Sequence, residues 1–163
     1  MGAGKTTTGR GLATRLGWTL RDSDVDLLAA TGRTARQLDE ERGTAELHRL
    51  EARHLIDALD APDPSVICAA ASTIDDPAAR AALADDRVSV VWLRADPVIL
   101  AARVRAAAHR RALGPDVAAA LAAQAASRYP RFEALEPFIV DVDDRSVADV
   151  IATIATHLGA TDR

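Results

Sequence analysis

Lysine is almost missing from this chain of 163 residues: of 20 lysines and arginines, Lys5 is the only lysine and the other 19 are arginine. Cysteine occurs once, at Cys68, which excludes an internal disulfide and leads us to expect a reducing, cytoplasmic setting. The run Val66-Ile67-Cys68-Ala69 suits a buried small hydrophobe better than a nucleophile. Aromatic residues are 3% of the chain although hydrophobic residues are 48%, so the core must rely on Ala, Val, Leu and Ile and on close approach of helices to a sheet. No basic block interrupts a net charge of −4, which argues against nucleic acid as the main partner. No apolar run reaches the ~20 residues of a membrane helix, so no membrane partner is expected. The length suits one domain, 1–163, working as a monomer.

What is present begins at once. Gly2-Ala3-Gly4-Lys5-Thr6-Thr7 contains the back half of a phosphate-binding loop of the form G-x-x-x-x-G-K-[ST]. Glycines allow successive backbone N–H groups to turn toward a phosphate, and the helix that starts here adds its positive end. In this pattern Lys5 reaches the β- and γ-phosphates and the Thr6 hydroxyl ligates Mg²⁺. The placement of the sole lysine between Gly4 and Thr6 sharpens the reading against a merely glycine-rich terminus. The motif's first glycine would fall one residue ahead of Met1, and the apolar strand that normally feeds such a loop does not precede it. We therefore expect the natural protein to start upstream, by about 5–10 residues, a strand's length.

The rest of the chain alternates. Residues 4–16 read as a helix in which Gly9 permits tight packing on a sheet, stopped by Gly17. A short strand, 18–20, runs into Asp22-Ser23-Asp24. If the strand persists, both carboxylates face one way and suit a metal and a reacting hydroxyl. The same triplet also suits an N-cap for the helix that follows at 25–31. Helices are expected at 34–41, 44–60 and 77–84, with strands at 65–69 and 88–93. The second of these strands has the strongest apolar signal and reads as central. Asp96-Pro97 opens another helix, which gives way to a basic segment at 107–115, ending in Gly114-Pro115, a candidate lid. A helix at 116–128, continuing past Pro130, a strand at 138–142 and a helix capped by Ser146 complete the order. This alternation predicts a three-layer α/β/α domain with a parallel sheet.

These residues resemble the shikimate kinase family of small P-loop kinases over nearly the whole chain. The resemblance rests on Met1 to Arg10, Leu12-Ala13, Leu16-Gly17, Asp22-Ser23-Asp24, Thr31-Gly32-Arg33, His109-Arg110 and Arg128-Tyr129-Pro130. It implies a five-stranded parallel sheet with the phosphate-loop strand at its centre, and transfer of the γ-phosphoryl group of ATP to a hydroxyl of a small acid, with shikimate the leading candidate. It implies that Gly2, Ala3, Gly4, Lys5, Thr6 and Thr7 hold the nucleotide and that Thr6 and Asp22 hold Mg²⁺, Asp22 through water. Asp24 orients or deprotonates the accepting hydroxyl. Arg110, from the lid, covers ATP, and Arg128 pairs with the acceptor's carboxylate.

Three departures concern the acceptor side. His48 stands where the family has a second carboxylate-binding arginine, and Arg49, one step along the helix, should face elsewhere. Ala70, Ala71 and Ser72 stand in place of a triple glycine, narrowing the acceptor pocket while adding a hydroxyl. Arg111 replaces the lid proline. Two alternatives follow from these departures: a kinase of another alcohol, such as a sugar acid or nucleoside, or a nucleotide-binding protein with little activity.

Overall fold

The structure is a computed structural model that describes residues 2–105 and 116–160. Helix α1 (Lys5–Leu16) leads to strand β1 (Thr19–Asp22), followed by α2 (Ser23–Thr31), α3 (Ala35–Arg42) and α4 (Thr44–Leu59). Strand β2 (Ser65–Cys68), a 3₁₀ turn (Ala71–Asp75) and α5 (Pro77–Leu83) come next. Then come β3 (Val91–Arg94), α6 (Pro97–Arg105), α7 (Val117–Glu133), β4 (Phe138–Asp141) and α8 (Val147–His157). The lid segment expected at 107–115 falls outside the described residues.

Among the described residues the strands form two parallel pairs, β1 with β2 and β3 with β4. Thr19 lies opposite Ser65 and Asp22 opposite Cys68; Val91 lies opposite Phe138 and Arg94 opposite Asp141. The period of two in each strand distributes its side chains to two faces. On β2, Val66 and Cys68 face α1 at Gly9, whereas Ile67 packs with Ala52, Leu55 and Ala79 of α4 and α5. Around β3 and β4, Val91, Leu93 and Val140 join Leu12 of α1 and Val150 and Ile154 of α8. Trp92 turns the other way, onto Tyr129 and Phe132 of α7, with ring centroids 4.7 and 5.3 Å away. Helices therefore cover both faces of both pairs, the expected three layers.

Most boundaries match the sequence reading, and the differences have local causes. Val88 and Ser89 are not in a strand. Val88 N–H instead closes a turn onto Asp85 O at 2.8 Å, and the ladder starts only where Phe138 N–H reaches Val90 O at 2.9 Å. The strand expected to be central has one hydrogen-bonded neighbour among the described residues, β4. The helix of 116–128 does run through Pro130, as far as Glu133. Asp76, Asp96, Asp116 and Ser146 each accept from a backbone N–H at the start of the helix that follows.

Gly9 shows how closely α1 sits on the sheet. A Cβ there would lie 2.2 Å from Cys68 Sγ, with Leu20 and Val66 just beyond. Alanine normally stabilises a helix interior relative to glycine by about 0.5–1 kcal/mol. Here overpacking, of order 1–3 kcal/mol, wins. Gly9→Ala is expected to lower stability in urea unfolding, and the loss should shrink in a Cys68→Ala background. A stabilised Gly9→Ala protein would contradict this packing.

Candidate active site

The phosphate loop has the backbone its glycines predicted. Gly2 and Gly4 have φ of 86° and 88°, left-handed values that a residue with a Cβ rarely adopts. Gly4 is the N-cap of α1 and supplies no side-chain acceptor, so the first turn of a 12-residue helix presents its amides and its positive end to the loop. Lys5 opens this helix half-buried, and its carbonyl accepts from Cys68 Sγ at 3.3 Å. Burial, then the nearby Asp22 charge, push the Cys68 thiol up to about 11, which keeps it protonated and unreactive.

Thr6 and Asp22 come together across the site. Thr6 Oγ1 donates to Asp22 Oδ2 at 2.8 Å, joining the start of α1 to the end of β1. The other carboxylate oxygen of Asp22 accepts from Asp24 N and Val25 N at 3.1 and 3.4 Å, so Asp22 is also the N-cap of α2. The N-cap reading of this aspartate is thus borne out. The strand does not persist to Asp24, however. Asp24 is an exposed residue in the first turn of α2, so its direction is set by the helix and not by strand alternation.

That first turn is braced by a network the sequence reading did not single out. Asp26 Oδ2 accepts from Arg21 Nε at 2.8 Å and lies 2.7 Å from His54 Nε2 on α4. Burial opposes ionisation of Asp26, but hydrogen bonds from His54 and Arg21 prevail and hold its carboxyl below the ordinary 3.8. Its members lie 5 and 28 positions apart, and no sequence spacing marks the longer pair.

The residues expected on the acceptor side lie on α4, around the 3₁₀ turn and on α7. His48 is half-buried on α4, and Arg49 points away, paired with Glu46 at 2.8 Å, as its position one step round the helix predicted. Ala70 and Ala71 are half-buried, and Ser72 is buried. The Ser72 hydroxyl donates to Glu51, and both residues are only 7% exposed. Glu51 lies three residues after His48 on the same helix face, the one sequence signal that could have marked it. Burial pushes the Glu51 carboxyl above its usual 4.5; the Ser72 hydrogen bond opposes this, the Asp24 charge adds to it, and Lys5 and Arg128 oppose it. Glu51 thus senses the phosphate-loop lysine, the candidate base and the candidate acceptor arginine together. Arg128 itself is bound to Asp75 and Gln124. Arg110 lies outside the described residues.

The glycine loop, the helix end and the hydroxyl–carboxylate pair define a phosphate-binding-loop nucleotide site on a three-layer α/β fold. Comparison with known proteins narrows the class. A family model described as shikimate kinase matches residues 1–159. A shikimate kinase of Symbiobacterium thermophilum is 37% identical over 161 residues, covering 97% of this chain and 91% of the relative. One of Mesorhizobium japonicum is 32% identical over 163 residues, covering 98% and 79%. The solved shikimate kinase from Acinetobacter baumannii in complex with shikimate superposes with a TM-score of 0.89 at 24% identity, over 100% of this chain and 91% of that one. That of Bacteroides thetaiotaomicron gives 0.82 at 23% identity, over 98% and 94%. These two structures establish the P-loop kinase fold. The chain belongs to the shikimate kinase family.

The raised Glu51 pKa predicts a pH signature. Protonated Glu51 favours the folded state, a contribution fully present below the ordinary 4.5 and lost as pH rises through the raised folded value. Glu51→Gln, which has no proton to lose, should therefore exceed the wild type in thermal midpoint at neutral pH and match it in acid. A difference that stays constant with pH would refute the buried, destabilised carboxylate.

Proposed function

We propose that this chain, as a single kinase domain over 1–163, transfers the γ-phosphoryl group of ATP to a hydroxyl of shikimate. The observation that carries the reading is the 2.8 Å contact of Thr6 with Asp22 beside a left-handed glycine loop. The loop amides and Lys5 bind and orient the triphosphate, and Lys5 follows the phosphoryl group as it moves. The donor set fits magnesium: a hydroxyl and a carboxylate, both hard oxygen ligands, next to the place of the phosphates. Thr6 and Asp22 would hold the ion, Asp22 through water, and the ion would supply charge neutralisation at the phosphates.

Asp24 orients the accepting hydroxyl and takes its proton. Its exposed place at the first turn of α2 leaves room for the acceptor, and the Arg21–Asp26–His54 network keeps that turn in place. Arg128 pairs with the acceptor's carboxylate, and His48, Ala70, Ala71 and Ser72 form the acceptor wall. Arg110 covers the nucleotide from the lid at 107–115. Such a reaction needs positioning and charge neutralisation more than covalent help. The protein works in a reducing cytoplasm as a monomer and needs neither nucleic acid nor membrane. No helix among the described residues is long and apolar enough to cross a membrane.

A coupled ADP-release assay with shikimate, sugar acids and nucleosides tests the reading. Shikimate-stimulated release that Lys5→Ala abolishes is the expected result. Stimulation by a different alcohol alone would change the acceptor, and tight ATP binding without turnover would make the chain a nucleotide-binding protein. In the same assay His48→Arg should lower the KM for shikimate by about tenfold, the worth of one charged hydrogen bond. An unchanged or higher KM would place His48 outside the acceptor pocket.

A further inference from the structure

Arg128 is not a lone guanidinium at the acceptor site. Its Nε and Nη2 both lie 2.8 Å from Asp75 Oδ2, and its Nη1 donates to Gln124 Oε1 at 3.2 Å. The other oxygen of Asp75, Oδ1, accepts from Arg131 Nη1 at 2.6 Å. One carboxylate therefore bridges two arginines that lie on successive turns of α7. The Arg128 side chain is 13% exposed and that of Arg131 43%, so the bridge runs from the interior to the surface.

Asp75 is well suited to act as an anchor. It ends the 3₁₀ turn that follows Ala70, and that turn is held along its length. Thr73 Oγ1 donates to Ala70 O at 2.7 Å, Ser72 donates to Glu51, and Arg80 Nη1 donates to Ile74 O at 2.7 Å. The next residue, Asp76, caps α5. Across the bridge, Tyr129 and Phe132 pack α7 against Trp92. Both supports of the ion pair are thus fixed.

A guanidinium has five N–H groups in one plane. Asp75 takes the Nε–Nη2 edge and Gln124 takes one N–H of Nη1. One N–H on each of Nη1 and Nη2 remains, and the cluster of two arginines and one aspartate keeps a net positive charge. We propose that Asp75 is a positioning residue of the acceptor site: it holds Arg128 by one edge so that the other edge meets the acceptor's carboxylate. This rests on the reading of Arg128 as the acceptor's partner. Asp75 also links the loop at Ala70–Ser72 to α7, so both walls of the pocket share one anchor. The nearest sequence cue, Asp75-Asp76, gives no hint of a partner 53 positions away.

Steady-state kinetics of the full chain test the proposal, with shikimate and with its uncharged methyl ester as acceptors. Asp75→Asn keeps the shape and removes the charge. Its KM for shikimate is expected to rise about tenfold, with kcat, the KM for ATP and the KM for the ester nearly unchanged. Arg131→Gln, at a half-exposed position, should raise the shikimate KM in the same direction by a smaller factor, and it serves if Asp75→Asn fails to fold. A shikimate KM unchanged in both variants, or an equal rise for the ester, overturns the positioning role. Arg128→Ala separates the two readings. If it raises the shikimate KM while the Asp75 and Arg131 variants do not, only the role of Asp75 falls; if it too leaves the KM unchanged, the acceptor role of Arg128 falls with it.

Discussion

The hydrogen bond from Thr6 to Asp22 is where the phosphate loop meets the sheet, and the rest of the site depends on that meeting. It requires α1 to lie unusually close to β1 and β2. Gly9 makes that approach possible, because no Cβ stands between the helix and Cys68. The loop itself works through backbone. Gly2 and Gly4 adopt left-handed conformations, and the uncapped start of α1 supplies oriented amides at no cost in reorganisation. A threonine hydroxyl and an aspartate held 2.8 Å apart stand beside it, oxygen donors of the kind that a hard divalent ion would favour.

The region proposed to face the acceptor follows a different logic. Here charged side chains hold one another in place. Asp26 links β1, α2 and α4 through Arg21 and His54. Glu51 is held by Ser72 and carries the desolvation penalty of a carboxylate that is almost fully buried. Asp75 bridges Arg128 and Arg131. Ion pairs of this kind contribute little net stability, since desolvation offsets the attraction. Their effect is geometric: each restricts where a functional group can point. Of the residues expected to line the acceptor pocket, Ser72 is joined to Glu51, and the Ala70 carbonyl to Thr73.

Much of the architecture was legible in the chain because it depends on local chemistry. Gly17 and Gly32 end helices with φ of 68°, Asp76 and Ser146 start them, and the apolar runs at 65–69 and 138–142 became strands. The stretch at 88–93 was less legible: apolar character alone could not reveal that Val88 closes a turn onto Asp85. Asp22 was legible as the cap of the helix that follows it. Asp24 was not legible in orientation, because that depended on where the strand stopped.

What the amino-acid order determined by itself was the phosphate loop, the alternation of helices and strands, and the caps that start and end the helices. Those properties arise from contacts between residues a few positions apart, or from the conformations that glycine alone tolerates. Only the tertiary structure decided that Ser72 would hold Glu51, that His54 would brace Asp26 and that Asp75 would grip Arg128. These partners are 21, 28 and 53 positions apart. Their pairing follows from which helix faces the packing brings together, and no periodicity along the chain encodes that.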